Sequence, residues 1–167
     1  AAPVTEASRR RLGFDEVFLL CLAMKVGRVK TKSDTAPAFR DRDISPLLAQ
    51  MPFDLTGAQK RSIGEISEDM SRREPMCRIL CGDVGSGKTV VAAAIMYYAK
   101  MCGGQSAMMA PTEVLAVQHH ENLSALFSKL GVTCALLTGS TGAAERRRIR
   151  EGILSGEIDI LIGTHAL

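Results

Sequence analysis

An eight-residue stretch, GDVGSGKT from Gly82 to Thr89, constrains the fold of this chain more than any other. It fits G-x-x-x-x-G-K-[ST], a spacing in which a glycine-rich backbone closes around an anion with its N–H groups pointing inward. Such a loop is delivered by a strand and followed by a helix. The apolar run MCRILC stands before it and VVAAAIMYYA after it, so both neighbours are predicted in the right places. Glycines at 82, 85 and 87 allow positive φ and close backbone approach. The start of the following helix adds its positive dipole end. The expected cradle is Gly82, Asp83, Val84, Gly85, Ser86 and Gly87. Lys88 should reach the β and γ phosphates of ATP or GTP, and the Thr89 hydroxyl should ligate Mg²⁺.

The pattern beyond the loop repeats. The helix from the loop runs to about Met101, and Cys102-Gly103-Gly104 ends it. Strand SAMMA follows, then a helix from Pro111-Thr112-Glu113 to about Leu130, strand VTCALLT, an Arg-rich helix to about Leu154 and strand IDILIGT. Continuous apolar strands alternating with helices predict an α/β fold, a parallel sheet covered by helices on both faces. With 46% hydrophobic residues the chain has enough apolar surface for such a core. A further helix is expected over about residues 55 to 71.

The first fifty residues differ. Phe14, Val17, Phe18, Cys21 and Leu22 recur at i, i+3, i+4, i+7 and i+8, which predicts a helix of about 15 residues with one apolar stripe that must pack on something. Residues 27–50 mix charge and turn formers without a period and read as a linker ending in a short helical turn near Pro46 to Gln50. A boundary near Met51 divides the chain into a helical linker segment, 1–50, and an α/β portion, 51–167.

A phosphate cradle alone does not hydrolyse. Hydrolysis also needs a carboxylate at the carboxyl end of a neighbouring strand to hold Mg²⁺, with a further group to orient water. Asp159 lies in a strand but at its amino end, roughly 13 Å from the productive edge. Glu113 is on the correct edge without the apolar lead-in of a metal-holding acid. The chain is expected to contain the cradle and to lack the acids.

Five motifs in order, FDLTGAQ (53–59), GDVGSGKT, MAPTEVLAVQHH (109–120), LLTGS (136–140) and IGTHAL (162–167), resemble those of superfamily 2 helicases, most closely the RecG type. The wording GDVGSGKTVVAA and APTEVLAVQH is also similar to transcription-repair coupling factors. The resemblance implies a truncated RecA-like motor domain preceded by the segment that joins it to a wedge domain. It implies an enzyme that uses ATP to pull duplex DNA past that wedge, reversing forks and migrating Holliday junctions in recombination and repair. It implies a monomer, and a D-E-x-H strand beyond IGTHAL as the source of the missing acids, so residues 1–167 alone are expected to be inactive.

The same resemblance gives roles to single residues. Gln59 offers the donor and acceptor that complement adenine N6 and N7, with Phe53 or Leu55 packing on the base. Pro111 and Thr112, then Thr138, Gly139 and Ser140, then Gly163, Thr164 and His165, supply strand-end contacts to the phosphates of branched or single-stranded DNA. Such contacts are blind to sequence and sensitive to salt. Thr112 is expected to cap its helix as well. A P-loop ATPase with no nucleic-acid partner, or a non-catalytic nucleotide-binding module, is the alternative.

Composition excludes other classes. A net charge of +3, with the basic excess confined to residues 1–50, is too small to argue nucleic acid by itself. Five cysteines with no C-x-x-C pair indicate neither a disulfide framework nor a zinc site, and read as reduced thiols of a cytoplasmic protein. The most apolar run, from Phe14, carries charges and falls short of the ~20 residues of a membrane span. It has no signal-peptide cleavage site, and the start without Met reads as that of an excised piece. Arginines in ERRRIR (145–150) cannot share one helix face and read as a solvated surface. His119 and His120 project about 100° apart, which does not suit a shared ion. Aromatic content of 4% is too low for a base-stacking platform.

Overall fold

A computed structural model describes residues 2–31, 36–40 and 43–165. Among these residues six helices and three strands follow in the order α1 (Ala2–Thr31), α2 (Ser45–Leu48), α3 (Gly57–Met70), α4 (Lys88–Met101), β1 (Ser106–Met109), α5 (Glu113–Phe127), β2 (Cys134–Leu137), α6 (Ala143–Ser155) and β3 (Ile160–Gly163), with a 3₁₀ turn after α5.

The sheet is parallel with order β1-β3-β2, so β3 is central and the other two are not neighbours. Its register aligns Met109, Gly163 and Leu137. All three strands therefore end on one edge. Alternation along β3 puts Ile160 and Ile162 into the cluster formed with α4 and α5, both fully buried. Leu161 faces the other way, toward Ile153 of α6. The sheet thus has helices on both faces, as the apolar runs predict.

α4 is apolar nearly all round and is the most enclosed helix, with Val91, Ala93, Ala94, Met96, Tyr97, Tyr98 and Ala99 buried. Tyr97 stacks on Phe127 of α5 at 6.4 Å between ring centroids. Leu47 of α2 is completely buried in the same cluster, joined by the half-buried Ile44, Leu48 and Met51. Upstream, residues 36–40 lie across the carboxyl ends of α3 and α4. Ala36 N donates to Arg73 O, Phe39 N to Met70 O, and Tyr98 Oη to Phe39 O. Gly104 admits this segment, since a Cβ there would sit 2.8 Å from the Phe39 ring.

Two sequence expectations need correction. The run MCRILC, residues 76–81, is not a strand but an irregular segment, with Ile79 79% exposed. A ladder needs a neighbour, and among the described residues none pairs with it. A groove of about 480 Å³ separates it from β1, lined by Ile79, Ile95 and Met108 among others. Arg78 anchors the segment instead, donating to Asp69 and Glu65 of α3. Those two carboxylates hold the Arg78 guanidinium above its ordinary pKa, Asp69 contributing most.

The first helix is also longer than its apolar stripe, spanning 30 residues and extending through Thr31 into the expected linker. Its polar start propagates the helix, helped by i,i+4 pairs Arg10–Glu6 and Arg11–Asp15. The stripe is not buried: Phe14, Val17, Phe18 and Leu22 are exposed, with Phe14 stacked on Phe18 and under the Arg11 guanidinium. Of the expected linker, residues 32–35, 41 and 42 lie outside the described residues, as do Ala166 and Leu167 of the last motif.

Candidate nucleotide and nucleic-acid interface

The glycine loop turns through Gly85 and Gly87, each at φ +80°, a region that side chains rarely adopt. Ser86 N donates to Asp83 O at 3.1 Å and closes the turn. Gly87 has a second reason to be glycine. A Cβ there would come 2.3 Å from Gln59 Nε2. No side chain caps the start of α4, and a helix start left uncapped offers its first N–H groups to an anion. Lys88 folds its ammonium over the loop, donating to the carbonyls of Gly82 and Asp83, both at 2.7 Å. Thr89 and Val84 are exposed.

Gln59 is fixed by a reciprocal capping box: Thr56 Oγ1 accepts from Gln59 N, and Gln59 Oε1 accepts from Thr56 N at 2.9 Å. Its Nε2 donates to Ser86 O at 3.0 Å. One hydrogen on Nε2 and one lone pair on Oε1 remain for a base. Leu55 is buried in the core, which leaves Phe53, half exposed, as the ring available for stacking near the start of α3.

The three strand ends meet as one edge. Ala110 N donates to Gly163 O and Thr164 N to Leu137 O, so the loops after β1, β3 and β2 are stitched in that order. Pro111 and Thr112 are exposed, and Thr112 Oγ1 accepts from Leu115 N, capping α5. Gly163 is buried, Thr164 half-buried and His165 exposed. Thr138 is buried, its hydroxyl 2.8 Å from Ser140 Oγ.

Both acids weighed in the sequence are engaged. Asp159 pairs with Lys100 and accepts from Thr133 N at 2.9 Å, at the amino end of the sheet. Glu113 accepts from Ser140 N at 3.1 Å and from Ser140 Oγ at 3.2 Å. Among the described residues no group of three or more His, Cys, Asp and Glu could hold a metal. Arg146 was hidden inside ERRRIR. It turns inward and donates to the carbonyls of Thr138 and Thr141, whereas Arg147, Arg148 and Arg150 are exposed. The run of arginines masked it, and the only sequence signal is its place one turn into a helix that follows a polar strand end.

Residues 56–167 match the family model of DEAD/DEAH box helicases. The chain belongs to that family. Membership implies ATP use. Among individual relatives, the chain is 44% identical over 163 residues to the ATP-dependent DNA helicase RecG of Bacillus subtilis (strain 168), covering 96% of this chain and 24% of that protein. The RecG of Staphylococcus aureus (strain NCTC 8325 / PS 47) is 48% identical over 164 residues, again 96% of this chain and 24% of the relative. A solved structure of RecG bound to a three-way DNA junction superposes with a TM-score of 0.84 at 41% identity, covering 95% of this chain and 22% of that one. The chain spans about a quarter of the length of the curated relatives it matches. No described helix is long and apolar enough to cross a membrane.

Proposed function

We propose that residues 51–167 are the N-terminal part of the first motor domain of an ATP-dependent DNA helicase of RecG type, joined by the helical segment 1–50 to what precedes it. The whole enzyme remodels branched DNA by fork reversal and Holliday-junction migration in recombination and repair, acting as a cytoplasmic monomer. The observation that carries this reading is the pairing, in one small α/β unit, of a glycine loop tied to Gln59 with three polar strand ends stitched into a single edge.

In this reading Gln59 selects adenine and Phe53 stacks on it. The inward N–H groups of residues 82–87 and the start of α4 hold the phosphates, and Lys88 swings from the Gly82 and Asp83 carbonyls onto the β and γ oxygens. The Thr89 hydroxyl would be a ligand to Mg²⁺, which would supply charge neutralisation at those oxygens. Pro111, Thr112, Gly139, His165 and their neighbours follow the DNA backbone, with Thr138 and Gly163 shaping the edge from beneath. Glu113 and Asp159 are both engaged elsewhere, so the acids of hydrolysis come from outside these residues, and the chain alone is inactive.

The test is ATP turnover by a full-length helicase carrying this chain, measured without DNA, with single strands and with a synthetic three-way junction. Turnover rising most with the junction is expected. Turnover indifferent to any DNA would favour an ATPase of another kind, and nucleotide binding without turnover a non-catalytic module.

A further inference from the structure

The DNA-facing edge has a structural problem that the ladder does not solve. β1 and β2 are separated by β3, so the ladder joins each of them to β3 and not to one another. At about 4.8 Å per strand those loops leave the sheet roughly 10 Å apart. A continuous track needs them in fixed register.

We propose that Glu113 is a positioning residue that yokes these two loops across the end of β3, with Arg146 bracing the second loop from the opposite side. The proposal rests on the reading of this edge as a DNA track. Glu113 opens α5, where the helix dipole favours a carboxylate. Both of its oxygens reach Ser140, one to the backbone N–H and one to the hydroxyl. Arg146 takes the carbonyls of the same loop with Nη2 at 2.7 Å from Thr138 O and Nε at 3.0 Å from Thr141 O. Donors and acceptors of the loop are therefore satisfied from two helices, α5 and α6. Inside it, Thr138 N donates to Thr141 Oγ1 at 2.9 Å.

Gly139 is fitted to this arrangement, because a Cβ there would stand 2.9 Å from Glu113 Oε1. The geometry also revises the part given to Ser140. Its N–H and O–H point at Glu113, which makes Ser140 an anchor and leaves outward contacts to Thr112 and the loop backbone. A carboxylate beside a phosphate track repels phosphate. A solvated acid there would only weaken DNA binding; one bonded through both oxygens holds the track in shape.

The experiment uses a full-length helicase carrying this chain and compares wild type with Glu113→Ala, Glu113→Gln and Gly139→Ala. Amide hydrogen exchange of the peptide containing Ser140 reads the yoke, and the concentration of a synthetic three-way junction that half-saturates binding at fixed salt reads its consequence. Glu113→Ala is expected to speed exchange and raise half-saturation each by roughly tenfold, the effect of losing about one net hydrogen bond. Glu113→Gln should stay within about twofold of wild type, because the amide oxygen still takes the Ser140 N–H. Gly139→Ala keeps every donor and acceptor yet displaces the carboxylate, and should follow Glu113→Ala. Unchanged exchange in Glu113→Ala would overturn the yoke. Faster exchange with wild-type or tighter junction binding would overturn its role in holding DNA. Wild-type junction binding that is absent or insensitive to salt would instead sink the DNA reading itself, and this proposal with it.

Discussion

Gln59 Nε2 donates to the carbonyl of Ser86 at 3.0 Å, so the residue proposed to read the base also holds the loop proposed to hold the phosphates. Thr56 fixes Gln59 from behind through the capping box. The two halves of the proposed nucleotide site, 27 residues apart in sequence, are mechanically one.

That link makes Gln59→Ala a double perturbation. Preference for ATP over GTP should narrow by about 1 to 3 kcal/mol, the range of a bidentate base contact. Nucleotide affinity should also fall for both, since Ser86 O loses its partner. Competition binding with the two nucleotides in a full-length helicase carrying this chain checks both effects; an unchanged ratio would move adenine recognition elsewhere.

Lys88→Ala removes the one full positive charge folded over the loop. Turnover in the same full-length context should drop by about 10² to 10³, typical of losing one electrostatic group at a reacting centre. Steady-state ATPase measurements decide it, and near-normal turnover in the variant would exclude the assignment.

Asp159 is buried and serves two partners, Lys100 and Thr133 N. Asp159→Ala should destabilise the fold by about 3 kcal/mol, the low end for breaking a buried pair, because Lys100 keeps some access to water. A denaturant titration reads the shift in midpoint. A change under about 0.5 kcal/mol, the size of an ordinary surface substitution, would show the pair to be dispensable.

Gly104→Ala tests whether residues 36–40 are part of the packed unit. The added methyl would meet the Phe39 ring at 2.8 Å and Ala99 O at 3.2 Å. Relief requires the segment to lift, so a loss of about 1 to 3 kcal/mol is expected from overpacking. Proteolysis should then cut first near Phe39. Stability and cleavage pattern both like wild type would mean that the segment lies there without contributing.

Much of the molecule was written in local sequence. Thr112 and Thr56 are cap residues in front of apolar periods, and α5 and α3 start at the next residue in each case. Gly85 and Gly87 announce positive φ and have it. Apolar runs at 106–109, 134–137 and 160–163 become strands because each finds a parallel neighbour. These features depend on residues a few positions apart, so a one-dimensional reading contains their physics.

The run at 76–81 shows the limit of that reading. Its composition favours a strand as strongly as the other three, but strand formation is a property of pairs, and no described strand pairs with it. Glu113, Ser140 and Arg146 show the same limit at the site. An acid at a helix start, a serine in a polar turn and one arginine among four have ordinary local explanations. Only the sheet order β1-β3-β2 brings the first two within 3.1 Å, and the folded loop after β2 turns the third inward onto the carbonyls of Thr138 and Thr141. Sequence determined the loop, the helix starts and the alternation of elements, because those follow from backbone preference and apolar period. Tertiary structure decided which polar side chains are partners, because hydrogen bonds across 27 residues depend on where strands lie in space and not on their order in the chain.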